Sequence, residues 1–92
     1  MPTQPSLDPT WHPQAREDVV FRRVGDEWVL FDPEAQRIHV LNLTAALVWS
    51  FCTGEHDIST IEGQVRTAFE DTVDDAGVEE ALHQFRDASL VR

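Results

Sequence analysis

Four histidines, His12, His39, His56 and His83, and one cysteine, Cys52, are among the side chains with the intrinsic capacity for metal ligation or nucleophilic attack. No two histidines stand three or four residues apart, and no recognisable zinc motif is present. A metal site would have to assemble from distant positions, and none is expected. His56, Asp57 and Ser59 together have the composition of a catalytic triad. Near neighbours cannot point at one another as triad members do, and helix capping accounts for Asp57 and Ser59. Cys52 lies in an apolar run and reads as a buried, inert small hydrophobe. The four glycines, at 25, 54, 63 and 77, are scattered and form no phosphate loop. A chain of 92 residues builds one modest core. It has little room for the cleft that paired-carboxylate catalysis requires. Neither enzymatic activity nor a cofactor is expected.

Charge excludes a further class. Seventeen acidic residues stand against seven basic ones, all arginine, for a formal charge of −10. Phosphate recognition needs a basic face. Residues 55–87 hold ten acids and two arginines. A third helix that begins Asp74-Asp75 and continues Glu79-Glu80 would be repelled from a major groove, so no nucleic-acid partner is expected. The longest apolar stretch, Ala45 to Cys52, is far too short to span a bilayer. Met1 to Pro13 lacks the apolar run of a secretory signal. The expectation is a soluble, cytoplasmic protein with no membrane partner.

The elements that would position any site follow from the pattern. Residues 1–16 form a Pro-rich arm, expected to be extended and flexible, and residues 17–92 form the domain. Trp11 is the one large aromatic of the arm, and it either hangs loose or docks on the domain. Three strand-like runs follow: Val19 to Val24, Glu27 to Phe31, and Gln36 to Leu41. Gly25-Asp26 suits a tight hairpin turn, and Asp32-Pro33-Glu34-Ala35 suits a type I turn. Two tight turns between three short strands predict an antiparallel meander.

The remainder predicts three helices. Asn42 is a good N-cap for Leu43 to Phe51, apolar on nearly every side and therefore a buried central helix. The second starts at Asp57 or Ser59 and carries Ile58, Ile61, Val65, Ala68 and Phe69 at helical spacing. Asp71 to Asp75 is an acidic connection. The third carries Val78, Ala81, Leu82 and Phe85 on one face. The class is α+β: a winged-helix-like domain, a three-stranded antiparallel sheet followed by three helices. In a simple meander the third strand lies at an edge, a template for another strand. A peptide, the N-terminal arm or a second copy in a homodimer could each fill it, and spacing does not choose.

Val29-Leu30-Phe31-Asp32-Pro33-Glu34, His39-Val40-Leu41-Asn42-Leu43-Thr44-Ala45-Ala46, Trp49, Gly54, Ile61 and the closing Leu90-Val91 form an ordered set. In order and spacing it resembles the PqqD-like family, the small peptide chaperones also called RiPP precursor recognition elements. The resemblance runs from about Val19 to Val91. It implies a winged-helix-like fold and no catalysis. It also implies capture of the leader of a ribosomally made precursor peptide for a tailoring enzyme. In the name-giving pathway that enzyme is a radical SAM enzyme that begins pyrroloquinoline quinone synthesis. The resemblance places the peptide antiparallel to the third strand and against the third helix. Carried onto this chain, the backbone of Arg37, Ile38, His39, Val40 and Leu41 exchanges the strand bonds. Val78, Ala81, Leu82 and Phe85 line or support the groove, with service in the core the alternative role for Leu82 and Phe85. Arg22, Arg23 and Arg37 are the candidates to meet acidic leader residues. Two positions depart from the family: Ser89 stands where a glycine is common, and the turn Gly54 to Asp57 is more acidic than usual. The alternative is a subunit that docks on a maturase or kinase-like enzyme without reading a peptide.

Overall fold

The computed structural model describes residues 7–69 and 75–92. Three strands, β1 (Val20–Val24), β2 (Glu27–Asp32) and β3 (Arg37–Leu41), precede three helices, α1 (Leu43–Ser50), α2 (Ile58–Ala68) and α3 (Asp75–Asp87). The sheet is antiparallel in the order β1-β2-β3, so β1 and β3 are both edges. The acidic connection predicted before α3 lies largely outside the described residues.

Turn chemistry sets the register. Gly25 takes φ +61°, the left-handed side that a two-residue hairpin demands of its first turn residue. The second turn is held by Asp32, whose Oδ1 accepts from the Glu34 and Ala35 amides at 3.0 and 3.3 Å. Gln36 sits at φ +53°, so it closes this turn and the strand begins one residue later than expected, at Arg37.

The register sorts side chains onto two faces. Leu30 and Leu41 are buried on the inner face, with Phe21 and Trp28 packed against the core. Phe21 and Trp28 stack at 5.1 Å, and the Arg23 guanidinium lies 5.7 Å from the Trp28 ring centre. The outer face carries the cross-strand rows Val20–Phe31–Ile38 and Arg22–Val29–Val40. Its residues are mostly apolar although nothing described in the chain packs over them.

Helix α1 is the centre of the domain. Asn42 Oδ1 caps it by accepting from the Ala45 amide at 2.8 Å. Ala45, Ala46, Val48 and Trp49 are buried. The helix touches β2 and β3 on one side and α2 and α3 on the other. Trp49 meets Phe85 of α3 edge-on at 5.3 Å. Helix α2 is capped by Asp57, which accepts from the Thr60 amide at 2.8 Å, so the earlier of the two predicted starts is the one adopted. Ile58, Ile61 and Val65 are its buried positions.

The described part of the arm is docked. The Trp11 indole donates to the Arg92 carbonyl at 2.8 Å, and the ring packs against the core. Gln14 and Ala15 bridge to Thr53 and Val91, tying the arm to the α1–α2 loop and to the C-terminal tail. Arg16 completes the clamp. Its guanidinium donates to Asp18, Asp32, Glu34 and the Ser89 carbonyl at 2.7–3.3 Å. Asp32 is only 2% exposed, and this fork together with the two turn amides satisfies it.

Helix α3 ends in a left-handed residue. The Leu90 amide donates to the Phe85 carbonyl at 2.8 Å and the Ser89 amide to the Arg86 carbonyl at 2.9 Å, with Ser89 at φ +58°. This geometry favours glycine, and Ser89 adopts it instead. Ser89→Gly is expected to raise stability by about 0.5–1 kcal/mol, seen as a higher melting temperature. An unchanged or lower value would show that the serine side chain offsets the backbone strain.

The Arg16 guanidinium holds the Asp32 carboxyl below the usual aspartate range, outweighing the upward push of burial. The same guanidinium lowers Asp18. Carboxylates depressed in the folded state contribute stability above the ordinary aspartate range. That contribution is lost as pH falls through the folded value. Acid unfolding followed by circular dichroism should therefore begin below about pH 4, and Arg16→Gln should shift its midpoint to higher pH. An unmoved midpoint would remove the clamp from the account of acid stability.

Candidate functional site

The open side of β3 is a run of unpaired backbone beside a concavity. β2 pairs with one side of β3 along all five residues. Among the described residues nothing pairs with the other side, and the arm's bridges go to Thr53 and Val91 instead. Residues 1–6 of the arm lie outside the described residues.

Beside this edge stands α3, and α1 separates the two. Among the described residues, α3 packs on α1 and α2 but not on β3. Two clefts run along α3, one against the sheet and one against the start of α1. One of about 390 Å³ lies between Asp32, Ala35, Arg37 and His39 on the sheet side and Asp87, Ala88 and Ser89 on the helix side. The other, of about 110 Å³, lies between Asn42, Thr44 and Ala45 and the α3 residues Gly77, Glu80, Ala81 and Gln84. Spacings of three and four put 77, 80, 81, 84, 87 and 88 on one stripe of α3, so both clefts share that wall.

The walls differ in charge. Arg37 and His39 project from β3, while Glu80 and Asp87 stand on α3. Arg37 has no ion pair among the described residues. Asp87 accepts from Arg86 at 3.4 Å. Such a cleft can hold an extended chain by its backbone and sort acidic from basic side chains between its two walls.

The residues predicted for this site fall into three groups. Arg37 and His39 line the wider cleft. Ile38 and Val40 alternate with them and point to the outer face, 67% and 60% exposed. Leu41, Val78, Leu82 and Phe85 are buried in the core, where they hold β3 and α3 in place. Ala81 is buried and also lines the narrower cleft. The apolar stripe of α3 thus packs inward apart from Ala81, and the cleft walls add Gly77, Glu80, Gln84, Asp87 and Ala88, which the sequence does not single out. Their signal is the mixed stripe next to the apolar one, at the same three-and-four spacing. Arg22 lies on the outer face and Arg23 is occupied over Trp28 and by the Gly25 carbonyl, so neither lines the clefts.

The reactive-looking residues have other roles. Cys52 is buried, its thiol donates to the Val48 carbonyl at 3.3 Å, and burial pushes its pKa up to about 12. Asp57 is held by the Thr60 amide as a cap. Among the described residues no cluster of three or more histidine, cysteine or carboxylate side chains could hold a metal ion. Nor is any described helix long and apolar enough to cross a membrane.

Comparison with known proteins can be set beside this geometry. No curated protein matches the chain. A solved structure described as "TbiB1 in Complex with the TbiA(beta) Leader Peptide" is similar, with a TM-score of 0.65 at 20% identity. The match covers 86% of this chain and 94% of that one. At that identity the likeness is one of fold, and it agrees with three antiparallel strands followed by three helices. Residues 27–91 match the family described as "Coenzyme PQQ synthesis protein D (PqqD)". That segment begins at the first residue of β2 and ends in the C-terminal tail. It therefore contains the β2–β3 turn, the edge strand, the capped central helix and both walls of the clefts. Strand order, the step from β3 through Asn42 into a buried helix, and the matched span coincide: this chain belongs to the PqqD family.

Proposed function

We propose that this protein captures the leader segment of a ribosomally made precursor peptide as a fourth strand on β3 and presents it to a peptide-tailoring enzyme. The observation that carries this reading is the unpaired β3 edge bordering clefts walled by α3, in a member of the PqqD family. The similar solved protein is described as a complex with a leader peptide, which supports the same class of ligand here.

Strand addition suits a small adaptor. Each main-chain hydrogen bond is worth about 0.5–1.5 kcal/mol net and needs no particular side chain. Affinity can then come from the backbone, and selection from the clefts. Arg37, free of ion pairs among the described residues, is placed to attract an acidic leader residue despite the overall charge of −10. Asp87 on the opposite wall would turn such a residue away, and Glu80 does the same for the narrower cleft beside the start of α1. The chemistry belongs to the partner, a radical SAM enzyme in the pyrroloquinoline quinone pathway or another peptide-tailoring enzyme, and we place the capture in the cytoplasm.

Fluorescence anisotropy with labelled leaders of precursors encoded beside this gene tests the reading. Saturable binding supports it, and absence of binding by every such leader sinks it. Proline scanning of β3 tests the mode. Successive residues of a strand aim their amides alternately at the two sides. Of His39→Pro and Val40→Pro, one therefore breaks the ladder to β2 and the other removes an outward donor. The variant that keeps its melting temperature should lose at least about tenfold in leader affinity. Unchanged affinity in that variant would rule out strand addition.

A further inference from the structure

We propose that the captured strand carries apolar side chains at two alternate positions, which seat beside Ile38 and Val40 on the outer face of the sheet and set its selectivity. The proposal rests on strand addition at β3 and goes beyond it by naming the side-chain pattern of the ligand.

A half-exposed antiparallel sheet ordinarily alternates apolar residues inward with polar ones outward. Here the outer face departs from that rule. Val20, Phe31 and Ile38 make one cross-strand row, and Val29 and Val40 sit side by side in the next. Single exposed apolar residues are commonplace, but two adjoining rows form a patch.

The patch is unequal at its two ends. In the row Val20–Phe31–Ile38, the β1 end is 37% exposed, the centre 39% and the β3 end 67%. Val40, at the same edge of the next row, is 60% exposed. The other row ends on β1 in a charged residue, Arg22. Natural sheets guard an open edge with charge, proline or a bulge. On β1 the outward residues are Val20, Arg22 and Val24, so a charge interrupts the apolar run even though Val24 is 61% exposed, whereas both outward residues of β3 between Arg37 and Leu41 are apolar, isoleucine and valine. The row is thus unfinished on the side where the cleft invites another strand.

A strand laid antiparallel on β3 alternates its own side chains. The residues opposite Arg37, His39 and Leu41 turn toward the clefts, and those opposite Ile38 and Val40 turn outward. The two outward residues stand at i and i+2 of the ligand. Directly opposed apolar pairs, β-branched or aromatic, stabilise a sheet by burying each other's flanks. The outer face thereby adds a second filter to the charge selection in the clefts.

Panning a displayed library of random short peptides against the full-length chain tests this, with the best enriched peptide resynthesised as the probe. Enriched sequences should share valine, isoleucine or an aromatic residue at i and i+2. Ile38→Thr and Val40→Thr, which keep the β-branched shape, should each weaken the probe about two- to fivefold without lowering the melting temperature. A double-mutant cycle should couple Ile38 to one of the two peptide positions and Val40 to the other. A probe weakened by the ladder-sparing proline variant but indifferent to both threonine variants overturns this proposal and leaves strand capture standing. A library that yields no binder sensitive to any of these variants overturns both. A dimer in sedimentation that Ile38→Thr dissociates assigns the patch to a second copy and also overturns the proposal.

Discussion

A helix with no polar face has to be enclosed. Helix α1 buries Ala45, Ala46, Val48 and Trp49 within eight residues, and Leu47 also packs against the core. A single layer cannot cover such a cylinder, so the sheet takes one side while α2 and α3 take the other. The consequence is a spacing. With α1 between them, β3 and α3 border the same region without packing on each other, and the clefts run along α3, one against the sheet and one against the start of α1. The site is therefore a by-product of core formation. Phe85 against Trp49, and Leu82 and Leu41 in the same core, hold its two walls at their distance.

The clamp at the chain ends complements this arrangement. Arg16 links the arm, the β2–β3 turn and the end of α3 through one guanidinium. Trp11 and the bridges at Gln14 and Ala15 engage the C-terminal tail and the loop after α1. The arm thus satisfies backbone groups other than those of β3, and the described part of it leaves that edge open. A domain of this size has little apolar surface to spare. Its use of an arm to lock the ends, rather than to cover the edge, is consistent with an edge kept for a ligand.

The distribution of charge follows the same division. The helical half carries most of the acidic excess, and four of the seven arginines precede α1. In the fold those four do different work. Arg16 is neutralised among carboxylates, Arg23 lies over Trp28, Arg22 stands on the outer face, and Arg37 fronts the cleft. Net charge alone argues against phosphate-rich partners. It could not distinguish an arginine that is already occupied from one that remains available.

Much of the fold was legible in the residues because it rests on local chemistry. Gly25 makes its turn, Asp32 accepts the amides of the next one, Asn42 and Asp57 cap their helices, and the all-round apolar run becomes the central helix. Each effect acts over a few residues, so composition and spacing suffice to predict the order of strands and helices. The positive φ of Gln36 and Ser89 was not legible, because nothing in either side chain announces it and the surrounding turn imposes it. Nor was the α3 stripe that walls the clefts. The apolar stripe of an amphipathic helix marks the core, and only the position of α1 decides which neighbouring stripe faces the sheet. Pattern could name β3 as an edge but could not say what covered it. That depended on where Trp11 and Arg16 found partners more than seventy residues away along the chain. Sequence by itself determined the elements and their order. Tertiary structure decided which backbone stayed unpaired and which side chains surround it, because both depend on contacts between segments that no local pattern encodes.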